Sequence, residues 1–82
     1  MNKAYVNLFD FQLGISIQIG NESYRLINGN PEGVLQMVKN YDVDELVLIG
    51  PNVITDRYEK AIKVDLMSKY NCENLKIIKM EG

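Results

Sequence analysis

The 82 residues predict a single α/β domain with a mixed five-stranded sheet in the chain order β-β-β-α-β-α-β, helices lying on one or both faces. Three observations support that reading. The first 27 residues fall into period-2 apolar segments separated by short turns. Two helix starts follow, at Asn30-Pro31-Glu32 and after Pro51. Compact apolar stretches, "ELVLIG" at 45–50 and "CENLKIIKM" at 72–80, come after each helix.

The first strand is "KAYVNLF", 3–9. Ala4, Val6 and Leu8 share one face and Tyr5, Asn7 and Phe9 the other, which predicts partial cover on both. Asp10 marks its exit. The second strand, 13–19, is expected to bury Leu13, Ile15, Ile17 and Ile19 and to turn Gly14, Ser16 and Gln18 to solvent. "GNES" at 20–23 has hairpin-turn chemistry and leads into "SYRLI". Asn30 then offers a cap, Pro31 suits the first helical position, and Glu32 complements the dipole. Val34, Met37, Val38 and Tyr41 form the apolar stripe of a helix ending near Asn40.

"ELVLIG" reads as a central parallel strand covered on both faces, closed by Gly50. The second helix starts at a cap, Asn52 or Thr55, and its stripe is Ile54, Tyr58, Ala61, Ile62, Leu66 and Tyr70. The last strand buries Leu75, Ile77 and Ile78. Short turns make the first three strands an antiparallel meander, and right-handed crossovers make the later ones parallel, in the sheet order 3-2-1-4-5.

Composition narrows the chemistry. The chain is 46% hydrophobic and 24% charged, the balance of a soluble globular domain. A domain this small buries about 60–65% of its unfolded surface, so a dimer contact would add proportionately much. Nine basic against eleven acidic residues give a net charge of -2, which disfavours nucleic acid as a partner. Lys60, Lys63, Lys69, Lys76 and Lys79 are interleaved with Glu59, Asp65, Glu73 and Glu81. The single cysteine, Cys72, rules out an internal disulfide and, without any histidine to activate it, reads as inert. "MNKAYVNLF" has no signal-peptide apolar core, and no stretch nears the roughly 18 apolar residues of a membrane span. The expected setting is cytoplasmic.

The order and hand of these elements resemble the ribonuclease-H-like core shared by actin-like ATPase domains and resolvase-type nucleases. "YVNLFDFQLGISIQIG" looks like the first hairpin of that superfamily, and "DELVLIGPN" like the fourth strand and its exit in the actin-like members. The resemblance spans residues 1–82 as one domain at the level of topology. In the nucleases a carboxylate set holds two divalent cations, one acid ending the first strand. That implies Asp10 here, with Mg²⁺ as the cofactor of such a reading. The acid expected after the fourth strand is replaced by "GPN" at 50–52. The nearest acid is Asp56, and Glu32 and Asp65 are the helical candidates. Paired cations need several anionic oxygens around a spacing of about 4 Å, and this set is sparse.

Independently of any resemblance, ligands of open α/β sheets bind beyond the carboxyl ends of the strands. With the first and fourth strands adjacent, the candidate crevice comprises Asp10, Gly50, Asn52 and Thr55, at a helix N-terminus that favours anions. The same residues have a purely structural account: a cap, a tight exit and a turn carboxylate.

The sequence therefore points to a non-enzymatic cytoplasmic accessory module that self-associates as a homo-oligomer or docks on a larger protein, of a size suited to a phage or mobile element. Its spare aromatics are Tyr5, Phe9, Phe11 and Tyr24. The alternative is a metal-dependent nuclease or nucleotide binder using Asp10 with Asp56 or Asp65. A third reading binds nucleic acid through the lysines of the second helix and last strand.

Overall fold

A computed structural model describes residues 2–9, 12–26, 30–72 and 74–80, apart from the side chains of Asp65 and Leu66. It contains β1 (Asn2–Asn7), β2 (Ile15–Ile19), β3 (Glu22–Leu26), α1 (Pro31–Asn40), β4 (Val43–Ile49), α2 (Asn52–Ala61) with a π-helical turn (Ile62–Leu66), and β5 (Lys76–Met80). The sheet order is β3-β2-β1-β4-β5, as the sequence predicts. β1 pairs antiparallel with β2 and parallel with β4, and β5 is parallel to β4.

Both crossovers run the same way along the sheet, so right-handed connections place both helices on one face. The core lies there. Ala4, Val6 and Leu8 of the β1 segment, Ile15 and Ile17 of β2, and Leu46 and Leu48 of β4 pack with Val34, Leu35, Tyr58 and Ile62. The period-2 pattern of β1 and β2 thus selects the core face. In β4 it is masked, because Val47 on the opposite face is also only 3% exposed, flanked in register by Tyr5 and Ile78.

α1 starts as expected. Asn30 Oδ1 accepts from Glu32 N at 2.9 Å, and Pro31 opens the helix. Its buried stripe is Val34, Leu35 and Val38, however. Tyr41 falls just past the helix, 40% exposed, and its ring lies 5.3 Å from that of Tyr24. Tyr24 is half-buried against the core rather than a spare aromatic.

Three further expectations are corrected. Leu13 is 74% exposed, because Gly14 adopts φ 123° and restarts the alternation at Ile15; Gly14 itself is buried. The second face of β1 is uncovered, with Tyr5 39% and Phe9 46% exposed. The second helix is capped by neither Asn52 nor Thr55: Pro51 is the N-cap, and no side chain caps it. The β2–β3 hairpin is tight. Ile19 pairs with Glu22, and Gly20, first of the two turn residues, has φ 61°, as a type II′ turn requires there.

Candidate functional site

The carboxyl ends of β1 and β4 meet closely. Leu8 N donates to Ile49 O at 2.7 Å, and Gly50 N to Met80 O at 3.4 Å. A Cβ on Gly50 would stand 3.0 Å from Leu8 Cβ, so any larger residue would crowd Leu8 where the two strand ends approach. Gly50, Asn52 and Thr55 are therefore brought together at the start of α2. Thr55 is 1% exposed, and its hydroxyl donates to Asn52 O at 3.2 Å. That hydroxyl serves the first helical turn, and Asn52 is exposed as the first helical residue. Asp10, the acid of this candidate crevice, lies outside the described residues.

Asp56 is an exposed partner of Lys79, whose Nζ lies 2.7 Å from Asp56 Oδ1 and 3.2 Å from Glu59 Oε1. Lys63 reaches Glu59 from the same helix at 3.3 Å. Burial pushes the Glu59 carboxyl up, but its hydrogen bonds to Lys79 and Lys63 outweigh that and hold it below its ordinary value. Those two acids thus fasten α2 to the edge strand β5. Glu32 receives Lys69 Nζ at 2.9 Å and the Tyr70 hydroxyl at 3.2 Å, and the Lys69 hydrogen bond lowers its pKa. Lys39 Nζ donates to Tyr70 O at 3.0 Å. This second cluster joins α1 to the segment after the π-helical turn. The Asp65 side chain lies outside the description. Among the described residues, no three His, Cys, Asp or Glu side chains gather as a metal-holding group.

A cavity of about 260 Å³ sits at the opposite end of the sheet, by the amino ends of β4 and β5. Val38, Lys39, Asp42, Asn71 and Cys72 line it. Its two loops turn through left-handed residues, Asp42 at φ 52° and Asn71 at φ 56°. The Cys72 thiol donates to Tyr70 O at 3.4 Å, so it takes part in the loop's own bonding.

The face of the sheet opposite the helices is largely exposed. Register places three rows across β1, β4 and β5: Lys3, Glu45, Lys76; then Tyr5, Val47, Ile78; then Asn7, Ile49, Met80. Lys3 and Glu45 pair at 3.6 Å. On β2 and β3 the same face continues as Ser16, Gln18, Ser23 and Arg25. A dimple of about 180 Å³ lies where the two halves meet, lined by Tyr5, Asn7, Ser16, Gln18, Ser23 and Ile49. The face is thus apolar on one side and polar on the other, with Met80 49% exposed. The apolar rows were readable only in part, because the face of β5 follows from strand pairing and not from its own pattern. Among the described residues, no helix is long and apolar enough to cross a membrane.

No protein family, curated protein or solved structure matches the chain.

Proposed function

We propose that this chain is a non-enzymatic interaction module whose binding surface is the helix-free face of its sheet. One observation supports the reading above the others. Both helices pack on one side, while the other side presents exposed Tyr5 and Met80 with half-buried Ile49 and Ile78 between them, over Val47, which is itself buried. Contiguous apolar surface rimmed by polar side chains is the mark of a protein-docking site. Here Lys3, Glu45 and Lys76 bound one end of the patch, and Ser16, Gln18 and Arg25 its flank.

A ribonuclease-H-like origin is a proposal that rests on the order and hand of the elements alone. A metal-dependent reading would rest on Asp10 and Asp65, since Asp56 is engaged by Lys79. The lysines proposed for nucleic acid are divided: Lys63, Lys69 and Lys79 stand in ion pairs with Glu59, Glu32 and Asp56.

The test is crosslinking of the tagged chain in cell extract, comparing wild type with Tyr5→Glu, Met80→Glu and a control at the exposed Val64 of the π-helical turn, Val64→Glu. Crosslinked species lost only in the first two variants support the surface. Identical patterns in all four overturn it.

A further inference from the structure

Resting on that reading of the sheet face, we infer that its occupant is a second copy of this chain, packed face to face with its strands antiparallel to the first.

Consider a twofold axis lying in the interface and running across the strands. It flips the strand direction and leaves the left-to-right order unchanged. β1, β4 and β5 of one copy then face the same strands of the other, and β2 and β3 face β2 and β3. Apolar surface meets apolar surface, and the Ser16, Gln18, Ser23 side meets its own polar equivalent. An isologous interface demands this kind of self-complementarity, and a face divided along the strand direction satisfies it.

The charged row strengthens the case. Lys3, Glu45 and Lys76 lie at one end of the patch, with two uncharged rows beyond them on the same strands. An axis midway between the uncharged rows sends the two charged rows to opposite rims. At about 6.7 Å per pair of residues, they stand about 20 Å apart. That is twice the screening length of about 8–10 Å in physiological salt, so these charged rows do not oppose contact; Arg25, in the third row on the edge strand β3, comes about 7 Å along the strand from its equivalent, so its guanidinium has to turn outward to solvent at the rim. A lateral shift bringing the charged rows together would place Lys3 and Lys76 over their equivalents, which fixes the register.

The area is sufficient only if most of the face is used. The chain measures 29 × 27 × 21 Å, so the broad face of this two-layer stack projects at most about 800 Å². Stable interfaces start near 600 Å² per partner. The product is a four-layer helix–sheet–sheet–helix body, its two sheets about 10 Å apart and rotated by about 30°.

Sedimentation equilibrium of the full chain, from about 1 µM to about 1 mM, tests this across the range of weak to moderate dissociation constants. The expected result is a rise from 9.4 kDa to twice that mass. Tyr5→Glu and Met80→Glu each raise the dissociation constant about tenfold or more, with unchanged far-ultraviolet circular dichroism, while Val64→Glu leaves it unchanged. Met80 is 49% exposed on an edge strand, so its variant folds even where Tyr5→Glu does not. A mass of 9.4 kDa throughout overturns the inference, as does a dimer indifferent to Met80→Glu. A monomer whose crosslinks to other proteins still vanish in Tyr5→Glu and Met80→Glu overturns the second copy alone and leaves the sheet-face reading standing.

Discussion

Three glycines give one substitution, Gly→Ala, three different outcomes. At Gly50 the added Cβ meets Leu8 Cβ at 3.0 Å and Leu8 C at 3.4 Å. Carbon–carbon contacts are optimal near 3.5–4.0 Å, so the overlap is about half an ångström or more. Leu8 cannot rotate out of the way, because the clashing atom is its Cβ. Its residue is 0% exposed, and its amide is held to Ile49 O at 2.7 Å. Overpacking of this kind costs about 1–3 kcal/mol. The lost freedom of the unfolded chain returns about 0.4–1 kcal/mol, leaving a net cost of about 1–2 kcal/mol. For a chain of this size that lowers the melting temperature by roughly 4–16 °C. At Gly33, inside α1, the new methyl finds only Leu26 Cδ1, at 3.7 Å. Alanine there gains helix propensity, stabilising by about 0.5–1 kcal/mol. Gly20 has open space but φ 61°, so alanine is destabilised by about 1 kcal/mol through the backbone alone. Thermal and urea unfolding followed by circular dichroism measure all three. A Gly50→Ala protein as stable as wild type would refute the packing account of the β1–β4 junction, and a Gly33→Ala protein less stable than wild type would refute the helix-propensity account of α1.

Three other perturbations read the interior and the ion pairs. Tyr58 is 6% exposed and its hydroxyl has no hydrogen-bond partner among the described residues, so Tyr58→Phe should gain about 1 kcal/mol, seen as a higher urea midpoint with unchanged slope. The same burial raises the Tyr58 phenol pKa, and the hydrogen bond to Glu22 raises that of Tyr24, so two of the five tyrosines should titrate above the ordinary value near 10 in a spectrophotometric titration. The folded pKa of Glu32 is depressed below its ordinary 4.5, chiefly by Lys69. Its stabilisation is therefore present above that value and lost as pH falls through the folded one, and Glu32→Gln should flatten the acid limb of the stability curve. In Lys79→Met, burial of Glu59 is opposed by Lys63 alone, so an NMR titration should show its carboxyl moving upward, while β5 amides exchange faster with solvent.

The element order and the strand order were legible because they rest on period, caps and connection length, all local in sequence. Asn30-Pro31-Glu32 is a complete helix start within three residues, and it forms as such. What was not legible depends on backbone conformations or distant partners. Leu13 keeps the parity of Ile15, but Gly14 at φ 123° intervenes and leaves it outside. Tyr41 keeps the helical spacing, but the helix ends one residue earlier and the ring turns to Tyr24. Asn52 and Thr55 both have cap chemistry, yet Pro51 occupies the cap position. In the candidate crevice, Gly50 was recognisable as a tight exit, whereas the engagement of Asp56 by Lys79 joins residues 23 apart and leaves no local trace.

The sheet face and the thin core are linked energetically. In a domain whose net stability is only a few kcal/mol, a ligand that binds only the folded form contributes a comparable amount by mass action. If a second copy covers the face, each tenfold rise in concentration well above the dissociation constant adds about 1.4 kcal/mol per dimer. Apolar residues such as Ile49, Ile78 and Met80 then stabilise the assembled fold even though they do little for the isolated chain. This separates two kinds of destabilisation that a single melting curve confuses. Gly50→Ala strains the β1–β4 junction within one chain, so it lowers the melting temperature equally at every concentration. Met80→Glu leaves the core intact and acts only through the covered face, so it removes the concentration dependence and converges on wild type at high dilution. The two effects divide cleanly only if the helix side of the sheet holds the fold and the open side holds the partner.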